Sequence, residues 1–223
     1  MINLRNTLIT VLAISVMSFT SAFAGGFSVG ISAAQTEIEA DGKETEGTET
    51  INKSVSADAV IGSVFAEFSF DNNFTVGAEW IPVEADISDQ VHARAEQETS
   101  RTGTQSTTNS RLQTADAEID NHVTYYAEIP IGDSFYVKGG YMEADVLTKE
   151  TTDGANGGTY GDTTIDGYMY GIGIRKYYSD NMFMKLEGTI SDYDDINLTS
   201  TTSNKISADI DATAVALRLG YTF

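Results

Sequence analysis

Two histidines stand near hydroxyl and acid residues: His92 among Ser88, Asp89 and Glu96, and His122 beside Asp120 and Thr124. A hydroxyl, an imidazole and a carboxylate are the minimum for nucleophilic hydrolysis, the imidazole taking the proton as the oxygen attacks. Spacing along the chain does not pair these groups, so no catalytic residue is assigned. Asp192, Asp194 and Asp195, with Asp209 and Asp211 further on, offer hard oxygen ligands of the kind Ca²⁺ prefers. They lack the spacing and glycine of a dedicated calcium loop, and a solvated acidic rim is the favoured reading. No metal and no cofactor is assigned. A third group consists of Glu67, Glu79, Glu128, Lys138, Arg175, Lys185, Glu187 and Arg218. Its meaning depends on the elements that carry it.

Those elements have period two, the signature of a strand with unlike faces. Phe27, Val29, Ile31 and Ala33 alternate with Ser28, Gly30, Ser32 and Ala34. The alternation returns over residues 60–70, 74–80, 122–131, 135–141, 168–175, 182–190 and 216–223, which makes eight strands. Asp71-Asn72-Asn73, Gly132-Asp133-Ser134 and Ser179-Asp180-Asn181 have the composition of tight turns. The remaining connections, near 41–54, 97–112, 148–163 and 194–205, are expected to be long loops rich in Thr, Ser, Gly, Asn and Glu. Short and long connections strictly alternate, as in an up-and-down transmembrane β-barrel with short turns at one end and long loops at the other. A soluble sandwich also has many short strands, but it gives no reason for tight turns at one end only.

Composition agrees. Residues 1–24 have Arg5, an apolar stretch over 8–17 and the Ala22-Phe23-Ala24 cleavage box, the pattern of a cleaved signal peptide. Residues 25–223 suit one domain. The chain has 13 basic and 33 acidic residues; without Arg5 the balance is 12 against 33, a net −21. Such a charge repels nucleic acid. No cysteine is present, so there is no disulfide framework and no thiol nucleophile.

With the apolar parity facing lipid, the eight charged residues all face the lumen, four acids against four bases. The lumen of an eight-stranded barrel is only wide enough for side chains to fill it. Charges there must pair, because a buried charge without a partner costs several kcal/mol. An ion-paired lumen is therefore expected. Aromatic residues should form two belts at the membrane boundaries: Phe70, Phe74, Phe135, Tyr177, Tyr178, Tyr221 and Phe223 at the short-turn end, and Trp80, Tyr141 and Tyr168 at the other. Beyond the upper belt the parity inverts. Glu37, Glu39, Ser54, Ser56, Asp58, Thr164, Asp166, Asp209 and Asp211 take the outer face, while Ile38, Val55, Ala57, Ile165 and Ile210 turn inward. The sheet should thus protrude above the membrane. Its third and fourth strands should continue through residues 91–95 and 112–119. Pro82 should introduce a bulge in the third strand, and the fourth does not invert cleanly.

The signal peptide, the strand alternation, the charged lumen and the terminal Tyr221-Thr222-Phe223 resemble the outer-membrane β-barrel superfamily. Its small members are the OmpA transmembrane domain, OmpX and the opacity adhesins. The resemblance spans 25–223. It implies the outer membrane of a Gram-negative bacterium, with lipid and lipopolysaccharide as surroundings. It also implies that Leu219, Tyr221 and Phe223 form the signal read by the barrel-assembly machinery. The expected function is non-catalytic: a monomeric barrel displaying acidic extracellular loops to an unknown extracellular partner, for adhesion or envelope stability. The alternatives are a narrow channel for small solutes and a lipid-modifying enzyme.

Overall fold

The computed structural model describes residues 25–46, 49–82, 85–86, 94–99, 105–152, 159–201 and 203–223. The expected signal peptide and His92 lie outside the described residues. β1 (Gly25–Glu46) and β2 (Glu49–Phe70) form a hairpin. β3 (Thr75–Trp80), β4 (Ala85–Asp86) and β5 (Arg94–Thr99) are successive pieces of one barrel strand, and all three pair with β6 (Gln105–Ile131). β7 (Phe135–Thr152), β8 (Thr163–Tyr177), β9 (Met182–Thr199) and β10 (Lys205–Thr222) follow, each antiparallel to the next. β1 then pairs with β10 from Ser28↔Thr222 to Thr45↔Lys205 and closes the ring. The fold class is the expected one: all-β, an eight-stranded antiparallel up-and-down barrel. Closure removes the free edges that an open sheet leaves unpaired.

The three tight turns lie at one end with the strand that ends the chain. Asn73 and Gly132 take positive φ, 60° and 67°. Asn tolerates this region and Gly is unhindered in it, which explains these residue types at the turns. The Phe223 amide donates to the Phe27 carbonyl at 2.9 Å and so ties the last residue to the first strand. Above this end the outer face is an exposed apolar band. Val60 is 76% and Ile172 69% accessible, and Ile31, Val215, Leu217 and Leu219 are exposed beside them. An apolar band around a closed barrel is a lipid-facing surface. On β10 it comprises Val215, Leu217, Leu219 and Tyr221.

Above the band the faces swap. Ile38, Ala40, Ile165, Ile196 and Ile210 join an apolar core inside the barrel, while Glu37, Glu39, Asp209 and Asp211 are exposed outside. The protruding ladders extend further than the sequence suggested. Residues 41–46 and 49–54, loop by composition, are paired strand, with Asp41 opposite Ser54 and Lys43 opposite Asn52. β7 reaches Thr152, and β9 and β10 approach each other at Thr199 and Lys205. With both faces polar, alternation carries no hydrophobic signal, yet Thr still favours extended backbone and the hairpin satisfies its own amides.

Among the described residues the register shifts on β5 between Gln97 and Thr99, and parity breaks at three further places. From Trp80 to Ala85 the third strand takes five steps where β6 takes four, from Val123 to Ile119. The stretch between these pairings contains Pro82. On β6 the register shifts between Asp120 and Val123, with Asn121 at φ 53°, so Ile119 and His122 are both buried. This bulge is why that strand does not invert cleanly. On β9 the shift lies opposite Ala208 and Ile210 and leaves Tyr193 and Ile196 both inside.

Candidate functional site

Period two puts the eight charged residues on the inner face, and closure brings them together. They come from β2, β3, β6, β7, β8, β9 and β10, so seven of the eight barrel strands contribute. They form two rings. In the lower, Arg175 Nη2 lies 3.3 Å from Glu67 and 2.5 Å from Glu128, and Lys185 Nζ lies 2.5 Å from Glu67 and 2.7 Å from Glu128. In the upper, Lys138 Nζ lies 3.0 Å from Glu187 and 3.9 Å from Glu79, while Arg218 reaches Glu187 at 2.7 Å and also contacts Glu79. Each carboxylate is shared by two cations and each cation by two carboxylates. Each ring is neutral.

Sheet neighbours do not supply this pairing. Arg175 is opposite Lys185, and Lys185 is opposite Arg218, so three cations lie in one row across β8, β9 and β10. Like charges directly opposite repel. Acids reaching across the lumen from β2, β3 and β6, with Glu187 on β9 itself, neutralise the row.

Two tyrosines, which the charge pattern does not include, join the rings. The Tyr126 hydroxyl donates to Glu67 at 3.1 Å, and Lys138 Nζ sits 4.0 Å from the centre of the same aromatic ring. The Tyr136 hydroxyl donates to Glu187 at 2.6 Å, with Lys185 Nζ 5.4 Å from its ring centre. Both lie on the lumen parity, so that signal was present in the sequence. The rings fit because glycines face them. An added Cβ would come 2.4 Å from Tyr136 at Gly173 and 2.1 Å from Phe183 at Gly220. Six of the eight charged residues are buried, Lys185 at 0% and Glu128 at 1% accessible, while Glu79 and Arg175 keep partial exposure.

Other candidate residues fall elsewhere. His122 is buried near the upper rim, its Nε2 2.9 Å from the Tyr193 hydroxyl. Among the described residues no group of three or more His, Asp or Glu converges as a metal ion requires. Leu219 and Tyr221 are exposed on the outer face of β10, and Phe223, one residue past its end, is exposed as well. Of the belt residues, Phe70, Phe135, Tyr177, Tyr178, Trp80, Tyr141 and Tyr168 are exposed at two levels, and Phe74 is half-buried. Tyr125 lies opposite Tyr141, itself opposite Tyr168, and extends that row.

The model of the family described as "Outer membrane protein beta-barrel domain" matches residues 7–223. No curated protein matches the sequence significantly. Solved structures with a similar course include Ail, the attachment invasion locus protein of Yersinia pestis. It is 15% identical with a TM-score of 0.44, over 88% of this chain and 98% of that one. The outer membrane protein OprG from Pseudomonas aeruginosa is 13% identical with a TM-score of 0.47, over 90% and 97% of the two chains. The outer membrane protease OmpT from Escherichia coli is 9% identical with a TM-score of 0.44, over 89% and 97%.

Proposed function

The chain belongs to the outer membrane protein β-barrel domain family and resides in the outer membrane of a Gram-negative bacterium; within that family, we propose that it is a closed, non-catalytic barrel that displays its acidic ladders for surface interaction. The observation that carries this reading is the pair of ion-pair rings spanning the lumen. Conduction would require parting buried charge pairs, at about 3–5 kcal/mol for each partner left alone. The material above the rings is long, polar and acidic outside, suited to contact with other surfaces or, through divalent ions, with lipopolysaccharide. Barrel closure without a free edge suits a monomer. In this reading residues 1–24 direct export and are removed. Leu219, Tyr221 and Phe223 then engage the assembly machinery.

Planar-bilayer recording of the refolded protein tests the closed lumen. Silence is expected, and steady conductance steps in the wild type would favour the narrow-channel alternative. Turnover of lipid or peptide analogues, lost on His92→Ala or His122→Ala, would favour an enzyme. Display is tested by shortening the β1–β2 and β6–β7 ladders above the apolar band and measuring capture of extracellular material by whole cells. Unchanged capture would count against it.

A further inference from the structure

Above the upper ring the lumen contains a cavity of about 130 Å³. An engineered apolar cavity of roughly 150 Å³ admits benzene, so this one has room for a small organic molecule. Its walls are largely apolar, formed by Ile38, Ile61, Met142, Met169, Ile210 and Ala214. Its floor is the upper ring, and Arg218 Nη1 there is buried with no hydrogen-bond partner. His122 also lines it, and its Nδ1 is buried without a partner, while its Nε2 meets Tyr193. Arg218 is 3% and His122 8% accessible. Buried polar groups are ordinarily satisfied, and leaving one unpaired costs about 1–3 kcal/mol.

We propose that this cavity is a binding site for a small neutral molecule with an apolar body and one hydrogen-bonding head. The body lies against Met142, Met169 and Ala214. The head accepts from Arg218 Nη1 or pairs with His122 Nδ1. The four charges beneath already balance, so an anionic head would bring an uncompensated charge into a dehydrated site. The site is independent of what the outer ladders contact. It needs no through-passage, since the ion-pair rings form its base.

Benzyl alcohol is a suitable probe, with benzene and benzoate as comparators. The readout is the methyl resonances of the four methionines at 142, 169, 182 and 184, in protein refolded into lipid nanodiscs. Met142 and Met169 line the cavity, whereas Met182 and Met184 are exposed on the lipid-facing side. Benzyl alcohol should shift Met142 and Met169 saturably. Simple partition into lipid should move Met182 and Met184 in proportion to concentration. Ala214→Phe should fill the space and weaken binding at least about tenfold. His122→Phe should narrow the preference for benzyl alcohol over benzene. Four methyls moving together without saturation, or saturable shifts unchanged in Ala214→Phe, would overturn the site. Tighter binding of benzoate would overturn the neutral head.

Discussion

Lys185 Nζ lies 2.5 Å from Glu67 Oε2 with both side chains at 0% accessibility, although 118 residues separate them in the chain. The two groups meet because β2 and β9 face each other across the closed barrel. Removing one partner should leave a buried charge partly uncompensated and cost about 3–5 kcal/mol. Lys185→Met with Glu67→Gln keeps the lower ring neutral, so the double variant should lose less than the two single losses added together. Urea unfolding in lipid vesicles measures the three variants, and strict additivity would contradict the coupling.

Arg218 and Lys205 share β10 but differ in surroundings. Arg218 is held by Glu79 and Glu187 inside the lumen, while Lys205 is exposed at the far end. Arg218→Ala should destabilise the barrel by about 3–5 kcal/mol, and Lys205→Ala by less than about 0.5 kcal/mol. Equal losses in the same unfolding assay would sink the ion-paired lumen.

Gly220 leaves room for the Phe183 ring, whose tip would stand 2.1 Å from an added Cβ. Gly220→Ala should cost about 1–3 kcal/mol through overpacking. Phe183→Leu in the same chain should recover part of that loss. A double variant as unstable as the sum of the two would show that the ring can move aside freely.

Asp209 lies outside the membrane, on the exposed face of the protruding ladder. Reduced hydration first, then the charges of Asp211, Asp195, Asp192 and Asp41, hold its carboxyl above the ordinary range. For an acid with a raised value in the fold, the folded state favours the protonated form. The penalty is therefore present above the folded value and relieved as pH falls through it. Amides over residues 206–211 should be better protected from hydrogen exchange near about pH 4 than near about pH 7, after correction for intrinsic rates. Asp209→Asn should shrink that difference, and an identical difference in the variant would refute the assignment.

Much of the barrel is legible along the chain because a lipid-facing strand has a sharp period. Phe74, Val76, Ala78 and Trp80 against Thr75, Gly77 and Glu79 leave little choice of face. The signal fades above the band, where Asp41, Lys43, Asn52 and Ser54 pair as strand but resemble loop. It breaks outright at Asn121 and beside Ile196, where a bulge inserts a residue and resets which side chains point inward. Unlike the stretch holding Pro82, neither place has a proline, and a bulge changes backbone geometry with little change of composition, so the residue types there do not announce it.

Chain order alone supplies the parity, the strand count, the four-against-four charge balance and the tyrosines at positions 126 and 136. It cannot say which charges meet. In the sheet itself Arg175, Lys185 and Arg218 stand in a repelling row, and Glu128 stands opposite Lys138. Closure instead divides the eight into two neutral rings and gives Lys138 to Glu187 at 3.0 Å. The reason is that Coulomb attraction acts through space. In a lumen too narrow for bulk water, the partner is whichever countercharge the opposite wall brings within reach.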